Sequence, residues 1–80
     1  MRIKVLFFAE LKEIFGQSRL IDLDEGSTIR KIVDLLAGES DRFYSEKTSL
    51  VYAVNENFET TEKKLKNGDE LALMTPMSGG

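Results

Sequence analysis

The sequence predicts an α+β domain, a mixed β-sheet covered on one face by one main helix. Three observations carry this. The first residues alternate between polar and apolar with a period of two, Ile29 opens an apolar stripe of helical period, and the second half reads as strands separated by turn residues. The resulting order is strand, helix, strand, helix, strand, strand, strand.

Ile3, Val5 and Phe7 alternate with Arg2, Lys4 and Leu6, as expected of a strand with one buried face. From Ala9 the period changes. Leu11, Ile14 and Phe15 fall at helical spacing and Gly16 stands where a C-terminal cap belongs, which gives a two-turn helix. Ser18 to Asp24 alternates again, with Leu20, Asp22 and Asp24 on one side and Ile21 and Leu23 on the other. Asp24 to Thr28 opens the next helix, where Ser27 or Thr28 can accept from its free amides. Ile29, Ile32, Val33 and Leu36 form the stripe of the main core helix, and Gly38 is expected to close it. The stretch from Gly38 to Ser49 predicts a loop with one helical turn that drops Phe43 or Tyr44 onto the core. Leu50 to Val54 is apolar throughout and is expected to be a central strand. Asn55-Glu56-Asn57 turns the chain, and Phe58 to Thr61 is a short edge strand. Lys66-Asn67-Gly68-Asp69 is a second turn before the strand Glu70 to Met74, and Pro76 ends regular pairing.

The chain has 80 residues, enough for one domain, residues 1–80, with 75–80 as an extended, flexible tail. A domain of this size commits most of its apolar side chains to the core, leaving few to line an enclosed pocket. Eleven basic residues against fourteen acidic ones give a net charge of −3, the wrong sign for a nucleic-acid partner. Cysteine and histidine are both absent, which excludes disulfides, thiolate or imidazole metal sites, cysteine nucleophiles and Ser-His-Asp arrangements. The apolar runs are too short to span a membrane, and the first residues pass straight into a strand pattern, so a soluble, cytoplasmic protein is expected.

Among internal residues no constellation favours catalysis. Asp22 and Asp24 share a strand face without a cleft to shift their pKa values. Lys63, Lys64 and Lys66 lie near Glu59 and Glu62, so both groups read as solvated surface. No glycine-rich phosphate loop is present, and the Asp22-x-Asp24-x-Gly26 run lacks the acidic twelfth position of a calcium loop.

The end of the chain, Met74-Thr75-Pro76-Met77-Ser78-Gly79-Gly80, differs from everything before it. Two glycines without Cβ atoms can lie in a channel too narrow for other residues and let an attacking group approach the carbonyl closely. The functional group is then the terminal carboxylate. Six residues at about 3.3 Å each reach roughly 20 Å, enough to enter a partner's active site while the body docks outside. A carboxylate is a poor acyl donor until activated, so such an arm needs an activating enzyme and ATP. Phe8, Phe58, Met74 and Met77 add a second feature. If the helix covers only one sheet face, some of them are exposed and mark an interface.

Val5-Leu6-Phe7-Phe8-Ala9-Glu10, Ala53-Val54-Asn55, and Leu65 to Ala72 leading through Pro76 into Ser78-Gly79-Gly80 resemble the small subunits of molybdopterin synthase, the ubiquitin-like sulfur carriers of molybdenum cofactor biosynthesis. The resemblance covers nearly the whole chain. It implies a β-grasp fold, and it implies that Gly80 is adenylated by an ATP-using, ubiquitin-activating-like adenylyltransferase and then converted to a thiocarboxylate. The large synthase subunit would take in the tail through Ser78 and Gly79 and pass the sulfur to cyclic pyranopterin monophosphate, in a heterotetramer of two small and two large subunits. Phe8, Phe58, Met74, Pro76 and Met77 match apolar partner-contact positions, and no metal or cofactor is held by the chain itself. Leu73-Met74-Thr75-Pro76-Met77 departs from the more aromatic and proline-rich run usual before the tail, so the contact is apolar but less aromatic. The alternatives are a related carrier for thiamin or tRNA thiolation, a ubiquitin-like protein modifier, and a plain interaction domain.

Overall fold

The computed structural model describes residues 1–46 and 49–76. Met77, Ser78, Gly79 and Gly80, which carry the predicted tail, lie outside the described residues. The elements in chain order are β1 (Arg2–Phe7), α1 (Glu10–Phe15), β2 (Ser18–Asp22), α2 (Ile29–Glu39), α3 (Asp41–Glu46), β3 (Val51–Val54), β4 (Asn57–Glu59) and β5 (Glu70–Met74). The five strands form one mixed sheet in the order β2-β1-β5-β3-β4. β1 and β5 run parallel and the other neighbours antiparallel.

The alternation in β1 is realised as expected, with Ile3, Val5 and Phe7 at most 1% exposed. These side chains meet Ile21, Val54, Leu71 and Leu73 from the same sheet face and Leu11, Ile29, Ile32, Val33, Leu36 and Phe43 from the helices. α2 is the main covering helix, and its stripe is buried as the spacing predicts. Phe43, on the single extra helical turn α3, is fully buried. Phe15 links it to the sheet, its ring centroid 5.0 Å from that of Phe7 and 5.3 Å, edge-on, from that of Phe43.

The Leu50 to Val54 segment gives an interior strand as expected, β3 lying between β5 and the edge strand β4, although it begins only at Val51. Several expectations are corrected. β2 stops at Asp22 because its partner runs out at Met1, whose ammonium donates to the Leu23 carbonyl at 2.7 Å. β4 spans Asn57–Glu59, since the chain leaves the sheet edge at Thr60 and crosses to α2. Gly38 does not end α2. The helix runs on to Glu39 with Gly38 exposed inside it, and Ser40 follows, its hydroxyl accepting from the Phe43 amide at 3.2 Å to start α3.

The start of α2 is also held differently from the expectation. Neither Ser27 nor Thr28 caps it with a side chain. The Ile29 amide donates to the Lys63 carbonyl at 3.1 Å and the Arg30 amide to the Thr61 carbonyl at 3.0 Å. The Leu65 amide returns to the Ser27 carbonyl at 2.9 Å, with the Leu65 side chain buried beneath. The 61–65 segment therefore satisfies helix amides that would otherwise need a capping side chain.

Two turns lie at the sheet end away from the tail. Asn55 and Glu56 both have positive φ, 49° and 72°, and join β3 to β4 in two residues. Gly68, φ 88°, turns the chain into β5, and its amide donates to the Arg2 carbonyl at 2.9 Å while the Arg2 amide donates to Asn67 Oδ1 at 2.7 Å. On the surface, Arg19 makes two hydrogen bonds of 2.7 Å to the Glu39 carboxylate, joining β2 to the end of α2.

Ile32→Val should cost about 0.5 to 1.5 kcal/mol in urea unfolding. Phe43→Ala should cost about 3 to 5 kcal/mol, a large part of the total stability of so small a domain. The Glu39 carboxyl is held below the usual carboxylate range, chiefly by the Arg19 hydrogen bonds. A carboxyl depressed in the folded state stabilises above its unfolded pKa, and that contribution disappears as pH falls through the depressed value. Both partners are partly exposed, so Glu39→Gln should lower stability at pH 7 by less than about 1 kcal/mol. Its difference from the parent should close as the pH is taken from about 5 to about 2, followed by denaturant unfolding at each pH.

Candidate partner-binding face and carrier tail

The helices and their core occupy one face of the sheet and, among the described residues, leave the other uncovered. Adjacent residues of a strand point to opposite faces, so the register fixes what this outer face carries. Leu6 stands opposite Ser18 and Ala72, Ala72 opposite Ala53, and Ala53 opposite Phe58. One step nearer the tail, Met74 stands opposite Val51. Phe8, the residue after β1, donates its amide to the Leu73 carbonyl at 3.3 Å and projects outward because Phe7 projects inward. The result is an apolar half-face with small alanines at its centre and Phe8, Met74 and Phe58 around them.

Phe58 is 77% exposed and Phe8 46%, while Met74 is half-buried. Full burial of each phenylalanine would contribute about 1.5 to 3 kcal/mol, so a partner covering this face gains its principal apolar contacts from side chains that cost the isolated domain little to present. Pro76 is exposed beyond the end of β5. Of the residues expected in part to be exposed, Phe8 and Phe58 are exposed and Met74 is half-buried, all three on the outer face. Sequence reasoning missed Leu6, Val51, Ala53 and Ala72. The alternation in β1 already put Leu6 opposite Phe7, but the two alanines become legible only once strand register is known. Ala53 is 7% exposed yet is not part of the core cluster, since it faces the other way.

The far half of the outer face is polar. Arg2 Nε donates to Asp22 Oδ1 at 2.9 Å, and the same contact holds the Asp22 carboxyl below the usual range. Lys4 and Glu70 stand side by side on β1 and β5, with Leu20 beyond Lys4. Asp22 and Asp24 are exposed, as are Lys63, Lys64 and Lys66. The solvated readings of both groups hold.

The position of the apolar half follows from topology. Parallel pairing puts the C-terminal ends of β1 and β5 side by side, so Phe8 and the exit of the chain toward Thr75 and Pro76 share one end of the sheet. β3 starts at the same end, bringing Val51 against Met74.

An open groove of about 660 Å³ runs on the other side of β4, lined among others by Arg30, Asp34, Leu50, Tyr52, Phe58 and Thr61. Its guanidinium is already engaged, since Arg30 pairs with Glu62 and donates to the Thr61 hydroxyl. Burial pushes the Tyr52 hydroxyl's pKa up. Among the described residues no cluster of acidic side chains is placed to hold a metal ion, and no helix is long and apolar enough to cross a membrane.

The profile of the ThiS family matches residues 5–80, which is nearly the whole chain. The chain belongs to the ThiS family. A curated relative, the molybdopterin synthase sulfur carrier subunit of Haemophilus influenzae, is 34% identical over 80 residues, covering 98% of this ThiS-family chain and 99% of that protein. Among solved structures, SAMP1 from Haloferax volcanii superposes with a TM-score of 0.81 at 25% identity over the full length of both chains. A chain of the complex of subunits 1 and 2 of molybdopterin-converting factor from Helicobacter pylori gives a TM-score of 0.70 at 21% identity, again over both full lengths. The five-stranded mixed sheet with its covering helices is the ubiquitin-like β-grasp fold, as the resemblance implied.

Phe58→Ser should change the free energy of unfolding by less than about 0.5 kcal/mol. Truncating a core aromatic costs several times that, so chemical denaturation of this one variant separates a presented side chain from a packed one.

Proposed function

We propose that this chain is the sulfur carrier subunit of molybdopterin synthase, with the Gly80 carboxylate as the group that carries sulfur. The observation that supports it most directly is the apolar half-face beside the exit of the chain. A partner seated there has the last residues at the edge of its footprint, so docking and delivery are one event. Full-length relatedness to a carrier subunit of that synthase supports the same reading.

The chemistry runs through the chain's end. The Gly80 carboxylate attacks the α-phosphate of ATP on an adenylyltransferase, pyrophosphate leaves, and an acyl-adenylate forms. Hydrosulfide then attacks the acyl carbon, the acyl–phosphate bond breaks with AMP as leaving group, and the thiocarboxylate remains. Within the large synthase subunit the thiocarboxylate sulfur attacks a carbon of cyclic pyranopterin monophosphate, and the carbon–oxygen bond at that carbon breaks with the oxygen substituent as leaving group. Water then cleaves the acyl–sulfur bond, leaving sulfur on the pterin and a carboxylate on Gly80. A dithiolene needs two sulfurs and each carrier brings one, so two carriers or two rounds are needed. This suits an assembly of two small and two large subunits, in the cytoplasm where ATP is supplied.

The chain's own contribution is delivery. Phe8, Phe58, Met74, Pro76 and Met77 seat the partner, while Ser78 and Gly79 thread its channel because neither carries bulk. Catalytic groups, ATP and pterin belong to the partners, and this chain binds no cofactor or metal of its own.

Intact-mass measurement after incubation with ATP, a sulfur source and the activating enzyme should show one oxygen exchanged for sulfur, located at Gly80 by fragmentation. No exchange with a demonstrably active enzyme, or conjugates on lysines of other proteins in its place, would replace this reading with a binding domain or a protein modifier. Gly79→Ala should slow sulfur transfer and leave the melting temperature unchanged. Met74→Arg should weaken association with the large subunit without preventing thiocarboxylate formation, and normal association would remove the outer face from the interface.

A further inference from the structure

Phe58 is the most exposed large apolar side chain described, yet it sits on the weakest element, a three-residue edge strand. Among the described residues β4 pairs only with β3, through Tyr52 to Val54, and its other side is open. What places Phe58 is therefore the two-residue turn that returns the chain from β3. That turn is not self-sufficient. Tight hairpins with two left-handed residues favour glycine at the second place, whereas Glu56 stands there with φ 72°.

The first turn residue supplies the missing hold. The Asn55 amide donates to the Glu70 carbonyl at 2.9 Å, and Asn55 Oδ1 accepts from the Glu70 amide at 3.0 Å. Asn55 Nδ2 donates to Asp69 Oδ1 at 2.9 Å, while Asp69 Oδ2 accepts from the Lys66 amide at 2.7 Å. The hairpin tip is thus tied on three bonds to the start of β5, the middle strand of the sheet. Asparagine is also the residue that tolerates the left-handed conformation best after glycine.

We propose that Asn55 is a positioning residue for partner docking, acting through Phe58 by fixing the β3–β4 hairpin to β5. This rests on the outer face being the docking surface. Removing the side-chain bonds leaves the hairpin tip tied to the start of β5 by the Asn55 amide alone, and Phe58 no longer meets its partner at a fixed place.

The test is a double-mutant cycle on affinity for the purified large synthase subunit of the same organism, run well below the melting temperature of every variant. Asn55→Gly keeps the left-handed backbone and deletes both side-chain bonds. It should raise Kd by about three-fold or more in the parent background and have no effect when Phe58→Ala is already present. An equal loss in both backgrounds would overturn the proposal, because Asn55 would then act on the fold at large. Restored affinity when Asn55→Asp is combined with Asp69→Asn, which exchanges donor and acceptor across the pair, would support it. Failure of that pair to recover what Asn55→Asp alone loses would count against it. If Phe58→Ala by itself leaves Kd unchanged, the docking face is wrong, a failure distinct from that of Asn55.

Discussion

The parallel pairing of β1 with β5 is the constraint on which the rest of the molecule depends. It joins the beginning of the chain to its last regular strand at the middle of the sheet. It closes the inner face around Val5, Phe7, Leu71 and Leu73, and it brings the outward Phe8 beside Met74 and the exit of the tail. Without it neither a core nor a delivery end exists. The antiparallel strands β2, β3 and β4 then extend a surface whose character is already set.

The two faces of that surface serve opposed needs. The inner face has to hold an 80-residue domain together, and Ile3, Val5, Phe7, Ile21, Val54, Leu71 and Leu73 on it are buried. The outer face holds a smaller apolar set, divided between an apolar half near the tail and a polar half with Arg2, Asp22, Lys4 and Glu70. Restricting exposed apolar area to one half limits unspecific sticking while keeping enough for a partner. Asn55 and Asp69, at the polar end, secure the strand that carries the outermost contact of the apolar half.

Much of this was legible from residue order alone. β1, α1 with Gly16, the stripe of α2, the Phe43 turn and the strand at Glu70 follow from local periodicity and turn chemistry, and the structure has them. What was not legible depends on partners distant in sequence. Gly38 reads as a helix stop until Ser40 is seen to start α3 immediately after it, and an exposed glycine inside a helix costs only about 1 kcal/mol. Thr28 reads as a cap until the carbonyls of Thr61 and Lys63 are found to have taken that task. The apolar run from Leu50 reads as central and β3 is interior, but that β5 takes the place between it and β1 depends on pairing distant in sequence. In the candidate site the exposed phenylalanines stood out as lone apolar residues, whereas Ala53 and Ala72 carry no signal until register sets them between those rings.

The placement of β5 has a further bearing on how the protein is made. Synthesis proceeds from the N-terminus, and the strand that completes the middle of the sheet is the last to leave the ribosome. Until Glu70 to Met74 emerges, β1 and β3 have no common neighbour and their edges stay open, a state prone to unwanted strand pairing. A shortened product ending before β5 cannot mature into a stable domain. A chain that folds is thus one that has been translated at least to the strand from which its last residues leave the sheet.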